Sequence, residues 1–362
     1  MINRPDYIAA IEPFIDKPLV KILAGIRRCG KSTIFEMLRE ELLRRGIGED
    51  QIVCKRYTEM DIPENITAKQ MYDELTAAMA GKGHCYLLLD EIQEITGWEK
   101  AVNSLLESAD ADIYVTGSNS KLMSSEISTY LTGRYVSIPV YTLSFKEYLD
   151  FKADSTLSRR ELLEEYIRFG GFPIIALSEY DEQSAYQIVN GIYHTVVSRD
   201  IVKRHRINKQ DLFDRVVKYI IENMGKTFSA NSISTFLKSE HRKVSVESIY
   251  NYLRWLEQAF IIYPCERYDL QGKSILKTQE KYYLADVSLK YALLGYNRKM
   301  LDGAMENIVY LELKRRGYDV YIGKNDTKEI DFVATRRDER IYVQVCVRIP
   351  EASDREVGDL ME

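Results

Sequence analysis

The segment GIRRCGKS, residues 25–32, decides the fold of the first part of this chain. It fits the pattern Gly-x-x-x-x-Gly-Lys-Ser/Thr, in which glycines let the backbone direct its N–H groups at phosphate oxygens. The apolar run PLVKILA (18–24) precedes it, and TIFEMLREELLRR (33–45), whose apolar residues recur at helical spacing, follows it. A glycine-rich turn that opens a helix attracts anions, so this segment predicts a phosphate-binding loop, or P-loop.

The residues of the loop have distinct predicted roles. The two glycines provide the turn, the ammonium group of Lys31 reaches the β- and γ-phosphates, and the hydroxyl of Ser32 binds Mg²⁺. Arg27 and Arg28 contact either the nucleotide or a neighbouring domain, and both alternatives stay open. The predicted cofactors are ATP and Mg²⁺, and the predicted nucleotide-binding residues are Gly25, Arg28, Cys29, Gly30, Lys31, Ser32 and Thr33.

A second element is the run CYLLLDE (85–91), a strand-like segment that ends in two carboxylates. Paired acids at the end of a buried strand are unfavourable unless a positive group faces them, and Mg²⁺ is such a group. We therefore expect Asp90 to hold the metal ion together with Ser32. Glu91 is expected to orient or deprotonate the attacking water. The simpler interpretation, two surface acids after a strand, loses weight once the P-loop is present.

Two further sets of candidates follow along the chain. The run DIYVTGSNS (112–120) ends in polar residues that can sense the γ-phosphate; Asn119 or Ser118 is favoured, Thr116 is an alternative, and a simple polar turn is the competing interpretation. Arg134, in LTGRY, is a candidate arginine finger that acts in cis or in trans, against the alternative of a surface arginine in a salt bridge. The predicted catalytic residues are Glu91, Lys31, Arg134 and Asn119.

The pattern of the whole chain predicts an α/β class. Strands alternate with helices over roughly the first 150 residues, which predicts crossover units and a parallel sheet. Residues 158–205 are mostly helical and are interrupted by GGFP (170–173). Three short helices and two extended segments then give the outline of a winged helix. A helix from residue 303 and three strand-like runs complete the chain.

Composition narrows the classes of protein. The 362 residues carry a net charge of −5, which argues against a generally basic nucleic-acid binder. The five cysteines are scattered without disulfide-framework or zinc spacing, which suits a reducing compartment. No run is long and apolar enough for a membrane span, and the first residues do not read as a signal peptide. We expect a cytoplasmic protein without a membrane partner.

Taken together, the motifs of the chain resemble those of the prokaryotic AAA-type ATPases that carry a C-terminal domain of unknown function, relatives of the archaeal ATPase group. The resemblance rests on GIRRCGKST, LLLDEIQEI followed by Trp98, VTGSNS, LTGRY, LSFKEYL (143–149) and GGFP, in that order. It covers most of the chain. It implies a P-loop NTPase core, a helical lid, a winged-helix segment and a small α+β nuclease-like end domain. It also supports the roles given to Lys31, Ser32, Asp90 and Glu91.

The domains implied are an ATPase core (1–155), a lid (156–208), a winged-helix-like domain (209–300) and a restriction-endonuclease-like domain (301–362). The last of these departs from its family. Glu306 or Glu312 fits the acidic helix position and Asp331 fits the strand aspartate, but the Glu-x-Lys strand reads Gln344-Val345-Cys346. Metal-assisted cleavage needs anionic ligands and a base, so we expect an inactive nuclease fold. The end DREVGDLME (354–362) suggests a truncated domain.

Partners other than ATP are left open between DNA and a protein. The expected recognition helix, 244–258, carries Arg254 against Glu247 and Glu257, a poor footprint for phosphate. Basic residues cluster elsewhere, where the alternative is a solvated surface; they are Arg199, Lys203, Arg204, Arg206, Lys209, Lys238, Arg242 and Lys243. Three functions compete: a slow Mg²⁺-dependent ATPase that drives a conformational switch, a nucleotide-gated binding module with negligible turnover, and a nuclease. The sequence leaves the oligomeric state open.

Overall fold

The computed structural model describes residues 3–58, 66–123, 127, 130–207, 209–239, 241–242, 244–269, 274–297, 301–325 and 328–346. Lys243 and the segment 354–362 lie outside these ranges. The chain divides into two compact units, Met1–Val140 and Tyr141–Glu362. Within the described ranges, no helix has the length and apolar character needed to cross a membrane.

The first unit is a parallel β-sheet with helices between its strands, as the alternating pattern predicted. The sheet has five strands in the order β2-β3-β4-β1-β5, and each neighbouring pair is parallel. Its elements, in chain order, are α1 (Pro5–Ile11), β1 (Val20–Ala24), α2 (Lys31–Arg44), β2 (Ile52–Arg56), α3 (Ala68–Met79), β3 (Cys85–Asp90), α4 (Trp98–Ser108), β4 (Ala111–Gly117) and β5 (Tyr135–Pro139).

The order of the strands determines which loops meet. Every residue of β1 and β3 is buried, as expected for strands covered on both faces. Since all five strands run in one direction, the residues that follow them lie at a common edge, where α/β proteins bind ligands. The strand β4 lies between β1 and β3, so its last residues separate the P-loop from Asp90. The sequence did not predict β5, a short strand that ends in Pro139.

In the described part of the second unit, helices come first and the strands of a sheet follow. Its helices include a π-helical turn at Val197–Val202 between α8 and α9. Its elements are α5 (Phe145–Phe151), α6 (Arg159–Phe169), α7 (Pro173–Ala176), α8 (Glu182–Val196), α9 (Lys203–His205), α10 (Gln210–Glu222), α11 (Ala230–Ser239), α12 (Val246–Gln258), β6 (Ile262–Asp269), β7 (Ser274–Leu284), α13 (Ser288–Leu294), α14 (Leu301–Arg315), β8 (Asp319–Asn325), β9 (Lys328–Arg336) and β10 (Glu339–Val343).

The five strands of this unit form one sheet in the order β10-β9-β8-β6-β7. The ribbon β6–β7 is antiparallel and joins β8 through a parallel pairing of β6. The helices α10, α11 and α12 followed by this ribbon appear in the predicted order. This one sheet contains strands from both sides of the domain boundary that the sequence suggested at residue 300.

Two of the sequence motifs behind the family resemblance have structural roles. In LSFKEYL, the hydroxyl of Ser144 accepts a hydrogen bond from the amide of Glu147, whose carboxylate accepts one from the Ser144 amide; this capping box starts α5. In GGFP, Gly170 has φ +77°, and a Cβ there would lie 1.8 Å from Oδ1 of Asp286. The amide of Gly171 donates to that carboxylate at 2.8 Å. Burial raises the pKa of Asp286.

Candidate active site

The P-loop leaves β1 through a glycine that no other residue can replace without a shift in the backbone. A Cβ on Gly25 would lie 1.9 Å from the carbonyl oxygen of Val140. The loop then turns through left-handed backbone at Arg28, with φ +68°, and at Gly30, with φ +102°. Left-handed backbone costs a non-glycine residue about 1–2 kcal/mol, so the loop stores strain at Arg28. The side chain of Arg28 is exposed.

A buried arginine that the sequence analysis missed supports this loop from outside it. Arg4 is 2% exposed, and its Nη1 donates to the carbonyl oxygen of Cys29 at 2.8 Å. Because C=O and N–H point in opposite directions across a trans peptide, this bond also fixes the direction of the next amide, that of Gly30. Burial raises the pKa of the Cys29 thiol, so Cys29 contributes packing and not an anionic ligand. No sequence signal links residues 25 positions apart in this way.

Lys31 begins α2 and is held at the mouth of the loop. Its side chain is 3% exposed, and its Nζ donates to the carbonyl oxygens of Gly25 at 3.0 Å and Ile26 at 3.2 Å. The N-cap residue is Gly30, which brings no side chain to cap the first turn of α2. Uncapped N–H groups at a helix start, beside a fixed ammonium group, form an anion-binding arrangement. Thr33 lies half-buried in the same turn.

The hydroxyl of Ser32 and the carboxylate of Asp90 meet at the edge of the sheet. Ser32 Oγ donates to Asp90 Oδ2 at 2.7 Å, and the hydroxyl of Thr116 donates to Oδ1. The Nε of Arg56, at the end of β2, also lies 3.1 Å from Asp90 Oδ2. Asp90 is 4% exposed, so these three donors replace the water it lost on folding. The sequence predicted the pairing of Ser32 with Asp90 but not the contact with Arg56.

Glu91 follows in left-handed backbone, with φ +55°, and its amide donates to Thr116 Oγ1 at 2.9 Å. This conformation turns the carboxylate toward the P-loop, where it lies 3.6 Å from Lys31 Nζ and 3.5 Å from Nη1 of Arg27. Burial opposes ionisation, but the charges of Lys31 and Arg27 outweigh it, so the pKa of Glu91 is lowered. Gln93 also donates to this carboxylate. Glu91 is therefore an anion held by two cations of the loop.

Two of the predicted γ-phosphate sensors, Thr116 and Ser118, lie beside these acids, and Asn119 is the next residue along the chain. Thr116 bridges Asp90 and the amide of Glu91, as described above. Ser118 is 1% exposed and its hydroxyl lies 3.4 Å from Glu91 Oε2, while Asn119 is 3% exposed. Their positions follow from the place of β4 between the P-loop and β3. Contact with a phosphate stays a prediction for each of them.

Arg134 lies at the other edge of the sheet. It directly precedes β5, and its carbonyl oxygen accepts a hydrogen bond from the amide of Val20, the first residue of β1. The P-loop follows the last residue of that strand, so about 16 Å of strand separates the two. The side chain binds Glu107 at 2.7 Å and Asn103 at 2.9 Å, both on α4. This geometry does not support a cis arginine finger, and a trans role stays a proposal.

The described donors fit ATP with Mg²⁺. A serine hydroxyl and a carboxylate are oxygen ligands of the type Mg²⁺ prefers, and Mg²⁺ characteristically takes few protein ligands beside phosphate oxygens and water. Among the described residues, no group of three or more His, Cys, Asp or Glu side chains could hold a metal ion.

Two of the acids predicted for a nuclease site, Glu306 and Asp331, lie near a lysine, as does Glu329, which the sequence did not predict. Lys281, on β7, is 4% exposed, and its Nζ lies 2.8 Å from Glu329 and 3.6 Å from Glu306. Burial opposes its charge, but these two carboxylates outweigh burial and raise its pKa. The carboxylate of Asp331, also near this lysine, accepts from the amide of Val345 at 2.7 Å.

Of the two helix candidates for the nuclease site, Glu312 lies outside this group and pairs with Arg315 and Arg316 at 2.9 and 2.8 Å. The side-chain oxygen of Gln344 accepts from the Asp331 amide at 3.4 Å, and Cys346 is half-buried. An ammonium group lies among the carboxylates where a nuclease would need a metal ion. The inactive site stays a prediction.

Known proteins that are similar to this chain have the type of fold described above. Residues 17–149 match a family model described as an AAA domain, and residues 160–299 match a domain of unknown function, DUF8612. An uncharacterised protein of Haemophilus influenzae is 38% identical over 97% of this chain and 88% of its own length. An uncharacterised protein of Methanocaldococcus jannaschii is 32% identical over 93% and 77%.

Among solved structures, the Walker-type ATPase PABY2304 of Pyrococcus abyssi is similar, with a TM-score of 0.57 and 15% identity. The match covers 81% of this chain and 96% of that one. At this identity the likeness shows the fold alone.

Proposed function

Because the chain belongs to the family of these H. influenzae and M. jannaschii proteins and carries an AAA domain, we propose that it binds ATP with Mg²⁺ and hydrolyses it to drive a conformational switch. The observation that carries this proposal is the hydrogen bond from Ser32 to Asp90 beside the buried Lys31. It joins the first turn after the P-loop to the tip of β3, the two places that supply the metal ligands of P-loop ATPases.

The proposed roles follow from the charges of the site. The loop amides and the ammonium group of Lys31 bind the phosphates, while Ser32 and Asp90 would hold Mg²⁺. When bound, Mg²⁺ neutralises charge that develops on the β- and γ-oxygens. Glu91 accepts a hydrogen bond from the attacking water and orients it toward the γ-phosphorus. For this the carboxylate has to leave Lys31 and Arg27, and a phosphate that draws those two cations away would release it.

Phosphate release by the purified protein tests the proposal. Lys31→Ala should abolish ATP binding, whereas Glu91→Gln should bind ATP and turn over about 100-fold more slowly, because general bases contribute rate factors of that order. Glu40→Gln, an exposed position on α2, is the matched control and should leave the rate unchanged. Equal background rates for the parent protein and Glu91→Gln would contradict hydrolysis by this site.

The second candidate is a nucleotide-gated module that holds ATP without turnover. The contacts of Glu91 with Lys31 and Arg27 favour it, since a carboxylate that stays bound to both cations cannot orient water. Tight ATP binding with equal background phosphate release in the parent and Glu91→Gln would support this function. In either case the proposed switch acts on DNA or on a protein partner.

A further inference from the structure

A concentrated run of positive charge lies in the second unit, away from the acids described above. The basic segment, residues 199–209, passes from the π-helical turn through α9 to the residue before α10. Its single acid, Asp200, is 4% exposed and so adds little negative charge to the surface. Its cations are all exposed, and they are Arg199, Lys203, Arg204, Arg206 and Lys209.

Four of these cations lack an acidic partner among the residues that the structure describes; they are Lys203, Arg204, Arg206 and Lys209. Some exposed cations of the first unit are paired instead, as Arg44 is with Glu41 and Lys69 with Asp73. Like charges held on neighbouring helical turns repel one another and lower stability. In a chain with a net charge of −5, such a run indicates a polyanionic partner.

An aromatic stack joins the basic segment to a second element. The ring of His205 lies 4.3 Å from that of Trp255 on α12, and the two planes differ by 13°. The same helix exposes Tyr250 and Arg254. The exposed acids Glu247 and Glu257 also lie on α12, so this helix is poorly suited to lie deep in a groove and read bases.

We propose that the basic segment binds the phosphate backbone of duplex DNA without sequence preference. Arg199 to Arg206 spans about 10 Å of helix, which matches about three phosphates of one strand at 3.4 Å each along the duplex axis. An anionic membrane is a poorer fit, because membrane-surface helices insert apolar side chains. The apolar residues Val197 and Ile201 of this region are buried.

If the basic segment binds DNA, DNA is the partner on which the proposed nucleotide-driven switch acts. This link to the switch rests on the proposed function. DNA binding itself does not rest on it, since the cations lie outside the P-loop unit. The two proposals can therefore fail separately.

The test is fluorescence anisotropy of a labelled duplex DNA of random sequence with the full chain, at several salt concentrations. The variant changes Lys203, Arg204, Arg206 and Lys209 to Gln. The control changes Arg44, Lys69, Lys100 and Arg160 to Gln, four exposed cations outside the basic segment, and so alters the net charge equally. Loss of four phosphate contacts should reduce the slope of log K against log salt by about 3–4 and weaken binding at least tenfold at low salt.

Three outcomes would overturn the proposal: no DNA binding by the parent protein at low salt, equal weakening in the control, or binding to vesicles of anionic phospholipid in place of DNA. ATP binding by the four-fold Gln variant, measured by calorimetry, separates this proposal from the previous one. Lost DNA binding with parental ATP affinity supports the surface. A parent protein that binds DNA but not ATP refutes the ATPase and leaves the surface intact.

Discussion

The hydroxyl of Ser32 donates a hydrogen bond of 2.7 Å to Oδ2 of Asp90. Fifty-eight positions separate these residues, and the bond crosses from the first turn of α2 to the tip of β3. Thr116, on the strand between, holds the other oxygen of Asp90. The oxygen ligands expected for a metal ion are thus aligned by the sheet itself, which reduces the reorganisation that binding requires.

Asp90→Asn should remove the effect of Mg²⁺ on ATP binding. Asparagine keeps the size of the side chain but loses the negative charge that holds the ion, and loss of a residue that orients a metal's ligands weakens metal affinity about 10–100-fold. Isothermal titration calorimetry with ATP, with and without Mg²⁺, measures this. Asp73→Asn, an exposed site on α3, should behave as the parent protein. A parental response to Mg²⁺ in Asp90→Asn would exclude Asp90 as a magnesium residue.

Arg4→Ala should weaken ATP binding although Arg4 lies outside the P-loop. The change leaves the carbonyl oxygen of Cys29 buried without its donor, which costs about 1–3 kcal/mol, and frees the peptide that orients the amide of Gly30. We expect about tenfold weaker ATP binding and a lower midpoint of chemical unfolding. Arg4 also contacts the hydroxyl of Tyr7 at 3.3 Å, so Tyr7→Phe is the control. That control keeps the bond to Cys29 and should bind ATP normally; equal weakening in both variants would contradict the role given to Arg4.

Sequence predicted the P-loop and the two acids at the end of β3, Asp90 and Glu91, because both lie in contiguous motifs at the ends of apolar runs. Arg4 was missed because its contact with Cys29 is a tertiary one, 25 residues away, with no periodic signal. The position of Arg134 depended on β5, whose short segment YVSIP was not recognised as a strand. The ammonium group of Lys281 among the carboxylates of Glu306 and Glu329 depends on pairing between distant strands, which local patterns do not encode.

Arg134→Ala should abolish ATP hydrolysis only if the protein assembles. Arg134 lies at the edge of the sheet opposite its own P-loop, so it can act as a finger only on a neighbouring subunit. We expect the parent protein to have a mass above that of one chain when a non-hydrolysable ATP analogue is bound. We expect Arg134→Ala to keep its ATP affinity and to hydrolyse ATP more slowly by about 10³-fold or more. Light scattering and phosphate release measure these quantities. If the parent protein hydrolyses ATP as a monomer, or if Arg134→Ala turns over ATP at the parental rate, Arg134 has no role beyond its salt bridge with Glu107.

Lys281→Met should destabilise the second unit. In the parent protein, a divalent cation should not be able to take the place of Lys281. Without the ammonium group, Glu306 and Glu329 both lose the positive charge that they share. Loss of one partner from a buried ion pair costs about 3–5 kcal/mol, and the partial exposure of Glu329 lowers the expected loss to about 2 kcal/mol. Urea unfolding measures this loss, with Lys314→Met, a half-buried position on α14, as the control.

Because the lysine already supplies the positive charge, Mn²⁺ should neither raise the stability of the parent protein nor support cleavage of DNA. Stabilisation by Mn²⁺ that is lost in Lys281→Met would show instead that a metal binds beside these carboxylates, and cleavage of DNA that depends on Mn²⁺ would show that the end domain is an active nuclease.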